Sequence, residues 1–99
     1  MSDDLAALRR EMREVDRALL QQVARRLKTA QKIGEVKRKQ GMPLRNYDVE
    51  AEVIREARAL CKRFRIDQEL GEEVMRLLIR AAVQAQEPQG PRARRGGDG

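Results

Sequence analysis

Leu5, Leu8, Met12, Val15 and Leu19 recur at alternating three- and four-residue steps. This is the apolar stripe of a helix packed in a bundle. Carried on in the same register, the stripe meets Gln22, Arg26 and Thr29 before apolar residues return at Ile33 and Val36. A cation in a helical seam is costly unless an anion meets it. Its neighbours one turn away on that face, Gln22, Thr29 and Ala30, carry no negative charge. Two readings stand side by side. In one, the polar gap is room for a small anion inside a helical bundle. In the other, the seam rotates onto Leu19, Val23, Leu27 and Ala30, and Arg26 snorkels at its edge.

The first helix is expected from about Asp4 to about Gln40, where Gly41 and Pro43 stop it. Asn46 is a good N-cap for a second helix, with Asp48 and Glu50 in its first turn. Val49, Val53, Ala57, Leu60 and Phe64 are its expected buried stripe. Asp67 caps a third helix, on which Leu70, Val74, Leu77 and Ala81 repeat at helical spacing. From Glu87 onward the chain is Pro, Gly and Arg without periodicity, so 87–99 is expected to be a disordered tail behind a helical domain of 1–86. The fold class is all-α.

Length adds a constraint. A helix of about 37 residues is roughly 55 Å long. The two shorter helices cannot cover its seam from end to end, and an amphipathic helix with its apolar face wet is unstable. A second copy packed across a two-fold axis is the simplest cover.

Composition removes several function classes. The 99-residue chain has no run long enough for a membrane span and no signal-peptide core, and is expected to be cytoplasmic. It has no histidine, which rules out Cys/His zinc sites and any Ser-His or Cys-His nucleophile pair. Cys61, the single cysteine, falls at an apolar helical position and reads as a small core residue. The glycines form no phosphate-binding loop. The net charge of +6 invites a nucleic-acid reading, but the basic residues are interleaved with 16 acidic ones, and Tyr47 and Phe64 are the only aromatics. That is a solvated face without a stacking platform. Any catalysis must come from positioning and fixed charge.

The residues able to supply it are few. Lys37 lies 11 positions after Arg26, about 20° around the helix and roughly 16 Å along it. Two long side chains leaning inward from there can meet opposite ends of one small molecule. Arg9 lies roughly 25 Å before Arg26 along the same helix, so it cannot join that site within one chain. On the third helix, Met75, Ile79, Ala82 and Gln86 share a stripe that ends in a small residue and an amide. Glu50 can face the same pocket or merely complement its helix dipole.

Leu8-Arg9, Val15-Asp16, Leu19-Leu20, Arg26, Ile33-Gly34, Lys37, Gly41-x-Pro43, Glu50 and Gln86 occur in this order over about 4–86. In this the chain resembles the all-helical (AroQ-type) chorismate mutases. The resemblance implies an intertwined helical-bundle homodimer of three-helix protomers with one long N-terminal helix. It implies two active sites, each using residues of both chains. It implies conversion of chorismate, a dianion, to prephenate in aromatic amino acid biosynthesis (the shikimate pathway), with no cofactor and no metal. By similarity, Arg26 and the other chain's Arg9 bind the substrate carboxylates. Lys37 and Gln86 donate to the ether oxygen, and Glu50 accepts from the ring hydroxyl.

Three substrate-binding positions depart from the family: Val49 stands where an arginine is common, Asn46 where an acid is, and Ala82 where a serine is. Arg45, nearby in the loop, is a candidate replacement for the missing cation. Isochorismate-pyruvate lyases share the bundle and the cationic pocket and are the alternative within the fold. A non-catalytic basic helical binding module is the alternative outside it, and does not account for the ordered set Arg9, Arg26, Lys37 and Gln86.

Overall fold

The structure, a computed structural model, describes residues 2–87. These residues form three helices, α1 (Ser2–Lys39), α2 (Tyr47–Phe64) and α3 (Gln68–Gln86), with no strand among them. The tail expected from 87 onward lies outside the described residues except for Glu87, which follows α3. No helix of the described residues is long and apolar enough to cross a membrane.

Local sequence sets the helix ends. After α1, Gly41 takes the left-handed conformation at φ 68°. Its N–H donates to Arg38 O at 3.2 Å, and Met42 N–H donates to Lys37 O at 2.8 Å. This paired reversal satisfies carbonyls that a helix terminus leaves open. α2 ends the same way: Arg65 N–H donates to Lys62 O and Ile66 N–H to Cys61 O at 2.8 Å. Here the left-handed position, at φ 61°, is filled by Arg65. A non-glycine residue there costs about 1 kcal/mol, which is why sequence gives no advance sign of it. Asn46 and Asp67 cap α2 and α3 as expected. Asn46 Oδ1 accepts from Asp48 and Val49 N–H, and Asp67 Oδ1 from Glu69 N–H.

α3 is the central element. It packs on both α1 and α2, which make no helix-to-helix contact of their own. A short turn joins α2 to α3, so they run as antiparallel neighbours. Between them, Cys61 is buried against Gly71, where a Cβ would stand 2.1 Å from the sulfur. At the surface, Arg58 bridges Glu69 at 3.0 Å and Glu72 at 2.7 Å, and Arg76 adds a second partner to Glu72. The hydrogen bonds from Arg76 and then Arg58 hold the Glu72 carboxyl below its ordinary range.

The buried apolar residues among those described are few: Ala30, Ile54, Cys61 and Ile79. This corrects part of the stripe expected on α2. The fully buried positions of α2 are Ile54 and Cys61; of the expected stripe, Val53 and Ala57 are half-buried, while Val49, Leu60 and Phe64 are 41–61% exposed. Both stripes have helical spacing, and periodicity alone does not say which one meets a neighbour. Leu70, Val74 and Leu77 of α3 are likewise exposed.

The Glu72 cluster generates a pH-dependent prediction. A carboxyl lowered in the folded state stabilises fully above its unfolded pKa, and loses that contribution as pH falls through the folded value. The stability difference between wild type and Glu72→Gln, measured by urea unfolding, is therefore expected to be constant from neutral pH down to about pH 5. It is expected to close on further acidification. A gap independent of pH throughout would show that the arginines do not act through the ionised carboxylate.

Candidate active site

The side of α1 that meets α3 reads Val23, Leu27, Ala30, Gly34 and Lys37, at four- and three-residue steps, with Ala30 and Gly34 buried and the others half-buried. The seam does rotate from the register set by Leu5–Leu19: Gln22, Thr29 and Ile33 are exposed. The rotation does not release Arg26 to solvent. It stands half-buried at the edge of the seam, and its guanidinium donates to Leu78 O of α3 at 3.3 Å.

Gly34 sets how closely the helices approach. A Cβ at this position would lie 2.9 Å from both Cα and Cβ of Gln86 and 3.0 Å from its carbonyl oxygen. Only a residue without a side chain lets the last turn of α3 rest directly on α1. Gln86 is thereby buried, the one buried polar residue among those described. Its backbone carbonyl accepts from Arg38. Its side-chain Oε1 accepts from Lys37 Nζ at 3.3 Å, and Lys37 Nζ also donates to Leu44 O at 2.7 Å. The amide is thus oriented with its oxygen toward Lys37; among the described residues Nε2 has no acceptor and the ammonium keeps one N–H unspent.

These groups border a cavity of about 530 Å³ between the three helices and the loop after α1. The size suits a small molecule. Arg26, Lys37, Asn46, Val49, Glu50, Ala82 and Gln86 all line it; Ala30, Val53 and Ile79 supply apolar wall. Every site residue expected from the sequence is therefore here except Arg9, which lies on the exposed half of α1. Neither Arg26 nor Lys37 has a carboxylate partner among the described residues. Two cations without counter-ions in a partly enclosed space favour an anionic guest. No group of three or more His, Cys, Asp or Glu among the described residues is placed to hold a metal ion.

The three unusual positions have distinct consequences. Val49 and Ala82 present only apolar surface. Asn46 spends its side-chain oxygen on the α2 cap, and only its amide nitrogen is left. Arg45 does not fill the gap left by Val49, because it does not line this cavity. Its guanidinium grips Glu50 from outside, with Nε to Oε2 at 3.0 Å and Nη2 to Oε1 at 3.1 Å. It also lies 4.6 Å from the centre of the Tyr47 ring. The hydrogen bond to Glu50 raises the Arg45 pKa further, so this side chain stays charged. Sequence reading missed the Arg45–Glu50 pair, whose five-residue spacing spans a loop and a helix start. It also missed Leu44 O and Arg38 as partners of Lys37 and Gln86, since nothing marks them before the chain is folded.

Comparison with known proteins places this arrangement. The pattern of the family described as chorismate mutase type II matches residues 8–87. The chain belongs to that family, a family of isomerases. It is 29% identical over 79 residues to a protein of Methanocaldococcus jannaschii named chorismate mutase, covering 80% of each chain. It is 31% identical over 90 residues to the T-protein of Enterobacter agglomerans; that match takes in 91% of this chain but spans only 24% of the relative. No solved structure gives a significant match.

The Gly34–Gln86 contact can be tested through stability. Alanine favours a helix over glycine by about 1 kcal/mol, whereas forcing a methyl into a tight contact costs about 1–3 kcal/mol. Gly34→Ala is expected to be less stable than wild type in urea unfolding, because backbone atoms of Gln86 must move. A more stable variant would mean that the helices do not approach this closely.

Proposed function

We propose that this chain converts chorismate to prephenate, as a homodimer whose two sites each combine residues of both subunits. The observation that carries the reading is the cavity shared by Arg26, Lys37, Glu50 and Gln86, with two cations that have no carboxylate partner among the described residues, in a chain of this family.

The reaction breaks a C–O bond and forms a C–C bond within one molecule, without proton transfer or a covalent intermediate. Catalysis then rests on holding the substrate in its reactive fold and meeting charge where it develops. Arg26 pairs with one carboxylate and Arg9 of the partner subunit with the other. The unspent N–H of Lys37 and Nε2 of Gln86 donate to the ether oxygen as negative charge grows there. Glu50 accepts from the ring hydroxyl. Val49 supplies no cation, so activity is retained at reduced efficiency.

A second copy is supported by what the described residues leave uncovered. Residues 4–22 are exposed throughout, including Leu5, Leu8, Met12, Val15 and Leu19 at 50–62%. Four buried apolar residues among those described make a very small core for three helices of this length. The exposed stripes on α1, α2 and α3 offer the apolar surface that a dimer buries.

The direct test is loss of chorismate with prephenate identified as product, and isochorismate assayed alongside. Release of pyruvate from isochorismate, with chorismate unchanged, would make the protein a lyase. The shared site has its own test. Arg9→Ala and Arg26→Ala are each expected to be nearly inactive, since every site of either dimer lacks one cation. Unfolded together and refolded in equal amounts, they form mixed dimers in about half of pairings, each with one complete site of two. Roughly a quarter of wild-type activity should return. A mixture as inactive as its parents, with subunit exchange verified by mass spectrometry, would defeat the shared site.

A second prediction concerns Gln86. A glutamate there donates only while protonated, and Lys37 favours its ionised form. Gln86→Glu is expected to move the activity optimum to lower pH, and Gln86→Ala to lose activity at every pH. An unchanged profile for the glutamate variant would separate this side chain from the reacting atoms.

A further inference from the structure

Glu50 is the only acidic residue among those lining the cavity. Left to itself, a carboxylate there opposes a dianionic guest and weakens the field of Arg26 and Lys37. Its side chain is 20% exposed, and both of its oxygens are taken by one guanidinium in a two-point grip. Such a grip fixes the plane of the carboxylate as well as neutralising it. Arg45 is in turn set against the Tyr47 ring, an attraction that orders the guanidinium. Arg45 and Tyr47 border a separate groove on the far side of Glu50, one that Glu50 and Ile79 share with the cavity. Arg45 therefore acts from behind, where a guest in the cavity does not displace it.

We infer that Arg45, ordered by Tyr47, is a positioning residue that aims and neutralises the Glu50 carboxylate so that an anionic substrate is accepted beside it. The inference rests on the proposed role of Glu50 as acceptor from the substrate hydroxyl. It assigns to Arg45 an indirect share of the cationic function that Val49 does not supply: the charge enters the site as a cancelled negative rather than as an added positive.

A double-mutant cycle separates this role from simple structural support. Arg45→Gln is expected to lower kcat/KM about tenfold, the size of a lost hydrogen-bonded charge pair. Most of the change is expected in KM, because the uncompensated carboxylate repels substrate before reaction begins. Arg45→Lys, which keeps the charge but not the two-point geometry, is expected to fall between the two. Glu50→Gln needs no counter-ion, so adding Arg45→Gln to it should change kcat/KM by less than about twofold. Circular dichroism and sedimentation establish that all variants are folded, and Arg45→Lys carries the test if Arg45→Gln is not. An equal tenfold loss in both backgrounds would overturn the inference, since Arg45 would then act independently of Glu50. Wild-type kcat/KM for Glu50→Gln itself would instead overturn the reading of Glu50 on which the inference rests.

Discussion

The contact on which the site depends is the one between Gly34 and the last turn of α3. Missing a single Cβ, α1 lets the backbone of Gln86 come to rest on it. Three things follow from that approach. Gln86 is buried at the end of a helix, where fraying would otherwise leave it in water. Its carbonyl, an open acceptor at a helix C-terminus, comes within reach of Arg38, and its amide oxygen within reach of Lys37. The cavity also gains a closed end, since α1 and α3 meet there while α2 stands off from α1. Gly71 plays the matching part on the other side of α3, where it admits Cys61. The central helix is held close on both sides by the absence of a side chain, not by bulk.

Around that frame the charges divide into two kinds. Arg58, Glu69, Glu72 and Arg76 neutralise one another on the surface of the α2–α3 pair. Exposed pairs of this kind add little stability each, but they leave no net field. Arg26 and Lys37 differ: they are half-buried, border one cavity, and bond only to neutral oxygens among the described residues. A carbonyl oxygen orients a cation without cancelling it. The field stays available to a guest, and electrostatic catalysis requires this. Glu50 is the exception inside the cavity, and Arg45 compensates it from outside.

The long helix has two halves with different tasks. From Val23 to Lys37 it packs on α3 and carries the cations of the cavity. From residue 4 to 22 it has no cover among the described residues. A rotated seam connects the halves, and Arg26 sits where the registers change. The proposed second copy gives the exposed half its purpose, because that half carries both the unmatched apolar stripe and Arg9.

The sequence by itself determined the three helices and their ends at Gly41, Asn46 and Asp67, and with the family resemblance it picked out seven of the residues that line the cavity. Caps, glycines and periodicity act over a few residues, so they can be read locally. It left open which stripe of each helix meets a neighbour. On α2 the expected stripe divided: Val49, Leu60 and Phe64 are exposed, Val53 and Ala57 are half-buried, and the buried positions are Ile54 and Cys61. On α1 the two possible registers were separated only by the position of α3. The grip of Arg45 on Glu50, the capture of Leu44 O by Lys37 and the seat of Gln86 on Gly34 were decided by tertiary structure alone. Each joins groups whose separation along the chain says nothing of their distance. They meet because α3 lies between the other two helices at a spacing that only close packing fixes.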